Sequence, residues 1–240
     1  VNAKTLNGWW IPAKEAKSAR PLIILVHGWG SNAARMLPCI EALYDENYHF
    51  IAFDARSHGS SGKDGYSTMV KFGEDIQSAI LWALSHKVEQ ICGIGVMGHS
   101  IGGAGTLYAA SRTPLIKAVV TVGAFADPRT VMAKTYHKTL KIPSILIPLI
   151  FKQMEWRLGF RFEDIAPVNI LNNIFGKMLI VHGTDDEIVP FSEAEKLAEK
   201  AMNWGNLQFL PLAGKKHSDC RSHPNFWPTV KTFLKSSLAD

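Results

Sequence analysis

Only three cysteines occur among the 240 residues, Cys39, Cys92 and Cys220. They are an odd number without the paired spacing of metal sites, so neither a disulfide framework nor a zinc site is expected. Reduced thiols suit a reducing compartment, and a cytoplasmic location is the expectation. Long apolar runs are also missing. The longest candidate, residues 142–151, is interrupted by Pro143 and Pro148 and falls short of the roughly 18 residues that span a bilayer. No signal-peptide pattern occurs at the start. The chain opens on Val1 rather than Met, which leaves open a preceding segment, an anchor or a signal. Repeats and low-complexity tracts are absent, so one domain over residues 1–240 is expected. The charge, +5 overall, is weakly patterned. Its basic residues are scattered (Lys14, Lys17, Arg20; Lys134, Lys138, Lys141; Lys215, Lys216), and no stripe of them interleaves with aromatics. Nucleic acid is therefore not an expected partner.

What is present is a β/α alternation. Short β-branched runs at 21–27, 48–54, 91–97, 116–122, 177–182 and 206–212 alternate with helical stretches at 33–46, 69–86, 101–112, 191–203 and 223–237. Continuous apolar strands between helices predict a mostly parallel sheet covered on both faces. Residues 1–12 differ: Asn7-Gly8 before Trp9-Trp10-Ile11 reads as a small antiparallel element, and one further edge strand before it is expected to be truncated or absent. Residues 126–175 break the alternation. They hold Trp156, four prolines and many apolar residues, and read as a helical cap inserted over the carboxyl edge of the sheet. The plainer reading is a pair of ordinary crossover helices.

The segment with the most chemical content is Gly98-His99-Ser100-Ile101-Gly102. It matches G-x-S-x-G between a predicted strand and a predicted helix. A sharp turn there strains the central residue and lifts its hydroxyl above the sheet, and neighbouring side chains would collide, hence the glycines. The start of the next helix offers free N–H groups to developing negative charge. Taken alone, the same residues could be a glycine-rich helix start with a capping serine. A second segment, His27-Gly28-Trp29-Gly30, ends the first buried strand.

The order HGWG, then DARSHGSSG (54–62), GHSIGG, HGTDDEIVP (182–190) and a late His217 resembles the α/β-hydrolase superfamily, most closely its small esterase-like and serine-aminopeptidase-like members. The resemblance spans residue 8 to the last helix. It implies the α/β-hydrolase fold and an oxyanion hole formed by the N–H groups of Trp29 and Ile101. It implies a catalytic histidine on the loop before the last helix, which selects His217 from nine histidines, with His223 as runner-up. The family pattern G-x-x-D-x-x-V selects Asp186 as the acid; Asp127, after the fourth strand of that alternation, is the alternative. The chain order Ser100, Asp186, His217 is the one this fold uses. Ser57 stands where the family's D-x-R-G-x-G-x-S has glycine, and the loop is expected to brace the site without chemistry of its own.

These residues imply a serine hydrolase that cleaves carboxylic esters through an acyl-enzyme. The expected substrate is a small ester with an apolar acyl group, and no metal or other cofactor is expected. An aminopeptidase or amidase with the same triad is the second reading. A ligand-binding protein that kept the fold without activity is the third. Dehalogenase and epoxide-hydrolase chemistry is disfavoured, because the elbow carries Ser rather than Asp.

Overall fold

The computed structural model describes residues 4–15, 17–202 and 204–239. Among them seven strands form one sheet: β1 (Gly8–Ile11), β2 (Arg20–Val26), β3 (His49–Phe53), β4 (Ile91–His99), β5 (Ile116–Val122), β6 (Lys177–Gly183) and β7 (Leu207–Leu212). The helices are α1 (Leu37–Leu43), α2 (Met69–Lys87), α3 (Ile101–Ala110), α4 (Pro128–Lys138), α5 (Ile147–Leu158), α6 (Phe162–Ile165), α7 (Pro167–Ile170), α8 (Phe191–Ala201) and α9 (Phe226–Leu238). The sheet order is β1-β3-β2-β4-β5-β6-β7. Only the β1–β3 pair is antiparallel, so the mostly parallel sheet read from the sequence is the one that forms. The small antiparallel element is β1, at the edge. Residues 1–3, where part of the expected missing strand would fall, lie outside the described residues, as does Asn203, expected to end α8.

Central strands must be apolar on both faces because helices cover both. Leu22, Ile23, Ile24, Leu25 and Val26 of β2 are all fully buried, each contributing about 1.5–3 kcal/mol of transfer free energy. Leu22, Ile24 and Val26 pack under α2 and α3, while Ile23 and Leu25 face α1 and α9. Local signals set the helix ends. The Thr68 hydroxyl accepts the Lys71 N–H at 3.2 Å and caps α2, and Gly159, at φ 75°, ends α5 in a left-handed turn. The single helix expected over 33–46 is α1 flanked by two short 3₁₀ turns, and it stops where Asn47 adopts φ 62°.

Residues 126–175 form helices α4 to α7 between β5 and β6, with one 3₁₀ turn between α4 and α5 and another after α7, and no strand among them. Their anchoring point is Glu193 of α8, a fully buried carboxylate whose Oε2 accepts the N–H groups of Ala126 and Asp127, both at 3.0 Å. Several apolar side chains of the segment face outward: Leu140, Ile145, Leu146, Leu149 and Trp156 are exposed. Among the described residues no helix is long and apolar enough to cross a membrane.

The topology places a crevice. The chain runs from β2 to β3 on one side, then crosses to β4 on the other. Loops leaving the carboxyl ends of β2 and β4 therefore diverge, and such a switch point is where open α/β sheets bind ligands. The HGWG segment leaves β2 there, and GHSIG leaves β4.

Candidate functional site

Ser100 sits between β4 and α3 at φ 55°, ψ −122°, a region that strains any residue with a Cβ. The turn is held because its neighbours have no side chains. A Cβ on Gly98 would lie 2.3 Å from the Gly102 carbonyl oxygen, and one on Gly102 would lie 2.3 Å from the His27 oxygen. The Ser100 N–H donates to the Val122 carbonyl at the end of β5, at 2.8 Å. Ile101 opens α3, so its N–H has no acceptor within the helix.

The facing turn carries Trp29. Gly28 lets it approach: a Cβ there would meet His99 Nδ1 at 3.0 Å and Ser100 Cβ at 3.5 Å. His27 holds the turn from below. Its Nε2 accepts the Ala55 N–H at 3.0 Å, which leaves Nδ1 to donate to the Gly28 carbonyl at 2.8 Å. Asp54 adds a second tie, its Oδ1 accepting the Ala33 N–H at 2.7 Å. The 54–62 loop thus clamps the HGWG turn. Ser57, in place of the family's glycine, adopts φ 65°, and its hydroxyl accepts the Asp64 N–H at 2.9 Å. Arg56 anchors the loop: buried, it donates to Asp75 at 2.7 Å and to Glu74 at 2.8 Å.

His217 and Asp186, 31 residues apart in sequence, meet at 2.6 Å through Nδ1 and Oδ2. The other oxygen of Asp186 accepts the N–H groups of Ile188 at 2.9 Å and Val189 at 2.8 Å. Burial pushes this carboxyl's pKa up. Hydrogen bonds from His182 and His217, the His217 charge and the Val189 N–H outweigh burial and hold it well below the usual carboxylate range. Asp127, the alternative acid, caps α4 and binds its own neighbour Arg129 at 2.6 Å. His223, the alternative base, accepts the Asn225 N–H at 3.2 Å on the way into α9.

Ser100 and His217 line one cavity of about 470 Å³, together with His27, Trp29, Met36, Met97, Val122 and Ile188. Among the described residues their side chains share no hydrogen bond, a looseness common in resting sites. No residue of 126–175 lines this cavity. An apolar pocket built by that segment is the one sequence expectation the cavity does not support. The apolar walls come from the ends of β4 and β5, from Met36 and Ile188 in flanking turns, and from Trp29, which is 67% exposed.

Three residues support the pair: His99 and His182, to which the family resemblance gives a structural role, and Gly123, which the sequence did not single out. His99 donates from Nε2 to the His217 carbonyl at 2.9 Å, fixing the loop that carries the imidazole. Burial first, with the nearby charges of His217 and Arg221, lowers the His99 pKa to about 4. His182 Nε2 lies 3.3 Å from Asp186 Oδ2 and 3.0 Å from the Val189 carbonyl. Gly123, at φ 66°, lies beneath the pair, where a Cβ would stand 3.1 Å from His217 Nδ1. A glycine directly after an apolar strand was the available signal for the last; for the histidines it was their place inside the GHSIGG and HGTDDEIVP motifs.

Residues 17–167 match the family described as serine aminopeptidase, S33. The chain belongs to that family. Among curated relatives, the uncharacterised protein YqkD of Bacillus subtilis is 26% identical over 216 residues, covering 88% of this chain and 70% of YqkD. Among solved structures, the esterase Pf2001 of Pyrococcus furiosus superposes with a TM-score of 0.77 at 25% identity, covering 99% of this chain and 88% of Pf2001. Est1E of Butyrivibrio proteoclasticus, solved with ferulic acid bound, gives 0.72 at 19% identity, covering 100% and 98%. The S33-family chain therefore has the α/β-hydrolase fold, and its neighbours support hydrolase activity.

Proposed function

We propose that the chain is a serine carboxylesterase. Ser100 attacks the acyl carbon while His217 takes its proton. Asp186 holds the imidazole in the tautomer that leaves Nε2 free to accept. The N–H groups of Trp29 and Ile101 receive the oxyanion, each such donor being worth about 10²–10³ in rate. The alcohol leaves with the proton from His217, and water activated by the same histidine then releases the acid. The observation that carries this reading is the strained Ser100 elbow, which shares a cavity with an imidazole bonded at 2.6 Å to a buried carboxylate.

The aminopeptidase reading uses the same residues but needs acidic groups to grip a substrate α-amine. Among the described residues no Asp or Glu lines the cavity, which favours esters. Trp29, Met36, Met97, Val122 and Ile188 supply apolar contact for a short acyl chain. Residues 126–175 are proposed as a cap. Their link to the site is Lys134 of α4, whose Nζ donates to the carbonyls of Glu187 and Ile188 on the Asp186 loop.

The test pairs labelling with turnover. Ser100 should react with a fluorophosphonate probe, p-nitrophenyl esters should be hydrolysed faster than aminoacyl-nitroanilides, and Ser100→Ala should lose both labelling and turnover. Unchanged turnover in that variant refutes the mechanism.

A further inference from the structure

Two arginines, Arg35 and Arg221, are among the residues that line the same cavity as Ser100. Arg35 is exposed and Arg221 half-buried. Arg221 is held across the cavity: its Nη1 donates to the Arg35 carbonyl at 3.3 Å and to Cys39 Sγ at 3.4 Å, spanning 186 and 182 residues of sequence. A guanidinium has five N–H donors in a planar fork, so most of its donating capacity is not used by these two contacts. Among the described residues neither arginine is in an ion pair. The nearest acidic residue in sequence, Asp219, accepts the Lys216 N–H at 2.6 Å and is not part of the cavity wall. Arg56 shows the contrast: it binds three carboxylates. Arg221 lies near the reacting centre: its charge helps to lower the pKa of His99, whose ring centre is 4.8 Å from that of His217. The hydroxyl-bearing residues Ser31 and Ser218 complete this polar side of the wall.

We propose that Arg35 and Arg221 form an anion subsite, and that the substrate ester carries a second, negatively charged group, a carboxylate or a phosphate. A planar fork matches either anion bidentately, and such charge-assisted bonds are about twice as strong as neutral ones. The inference rests on the esterase reading and narrows its substrate class. The reaction is unchanged: ester and water give acid and alcohol, and the remote anion is neither made nor broken. It only holds the ester so that its acyl carbon meets Ser100.

The test uses two matched pairs, which separate the two anions. Mono-4-nitrophenyl glutarate is compared with 4-nitrophenyl pentanoate, and butyrylglycerol phosphate with monobutyrylglycerol. The quantity read is the ratio of kcat/KM, anionic over neutral. It should exceed about tenfold in at least one pair at low salt and fall as ionic strength rises. It should drop by about tenfold in Arg221→Gln and in Arg35→Gln, and recover in part in Arg221→Lys. General structural damage slows both members of a pair and leaves the ratio in place. A wild-type ratio near one in both pairs, or a ratio that neither Gln variant moves, overturns the subsite while leaving the esterase intact. Calorimetry on Ser100→Ala measures binding apart from turnover. Tighter binding of the anionic ester that vanishes when Arg221→Gln is added supports the subsite even if wild type cleaves none of the four esters, which would overturn the esterase reading alone. Equal binding of both members of each pair overturns the subsite.

Discussion

The substitution Asp186→Asn isolates the role of a single proton. In the native site Asp186 Oδ1 accepts two backbone N–H groups, at 2.9 and 2.8 Å, while Oδ2 faces His217 Nδ1 at 2.6 Å. An amide in this place has one favoured orientation, since Oδ1 takes two backbone N–H groups whereas the His182 Nε2 that faces Oδ2 at 3.3 Å also has the Val189 carbonyl at 3.0 Å. Its oxygen must take the Oδ1 position, because an NH₂ there would face the two N–H donors of Ile188 and Val189. The NH₂ group then points at His217 and donates to Nδ1. The imidazole proton is forced onto Nε2, the nitrogen that must receive the proton of Ser100, so the base is present in the wrong tautomer. The expected loss is about 10⁴ in kcat, or about 5 kcal/mol of transition-state stabilisation. The stability loss is smaller, about 1.5–3 kcal/mol for one charge-assisted hydrogen bond. Ester turnover and the urea midpoint of the same sample separate the two. The control is Asp127→Asn, whose carboxylate binds Arg129; its kcat should change by no more than a few fold. A folded Asp186→Asn enzyme that keeps a tenth or more of wild-type kcat would refute the tautomer argument.

Gly102→Ala tests the elbow from its other side. The new Cβ would meet the His27 carbonyl at 2.3 Å and the Val26 carbonyl at 2.8 Å, at the end of a strand paired on each side and in the turn that follows it. The turn must retreat, and a displacement of about 1 Å is enough for a loss on the order of 10² in rate; wild-type activity in the variant would show the elbow to be looser than described. Arg56→Met leaves the fully buried Asp75 its hydrogen bond from the backbone N–H of residue 56 but removes the opposite charge, a loss of about 3–5 kcal/mol that Asp75→Leu in the same chain should restore in part. Additive losses in the urea midpoints would contradict this. His99 contributes to the pH dependence of stability, as do His27 and His49, whose pKa values burial also lowers. The His99 pKa, about 4 when folded against 6.5 as the reference, means that the unfolded chain binds the proton first as pH falls. Its contribution is therefore complete above about pH 6.5 and is lost progressively toward pH 4, by up to about 3 kcal/mol. His99→Gln should flatten the fall of the urea midpoint between pH 7 and 5, and an unaltered slope would exclude His99 as a source of it.

Legibility of the fold and site varied with the range of the interactions concerned. The parallel sheet was readable because strands covered on both faces must be continuously apolar, as in residues 22–26. The Ser100 elbow was readable because a strained turn accepts only glycine at 98 and 102, a demand written within five residues. Asp186 and His217 were reachable only through resemblance to a family, since nothing local distinguishes Asp186 from Asp185 or His217 from His223. Their meeting is a matter of how β6 and the loop after β7 are placed side by side.

Residues 126–175 mark the boundary most clearly. Their apolar composition suggested a wall over the serine, yet Ile145, Leu149 and Trp156 face outward and the cavity is lined from elsewhere. Composition states how much apolar surface a helix has, not which neighbour its faces meet. The same holds for Arg35 and Arg221, ordinary surface residues in sequence that the closing of the sheet's carboxyl edge brings onto one cavity. Local backbone geometry and strand burial were determined by the sequence on its own. The charge, the shape and the supporting bonds of the site arise from contacts between distant segments, and only the tertiary structure decided them.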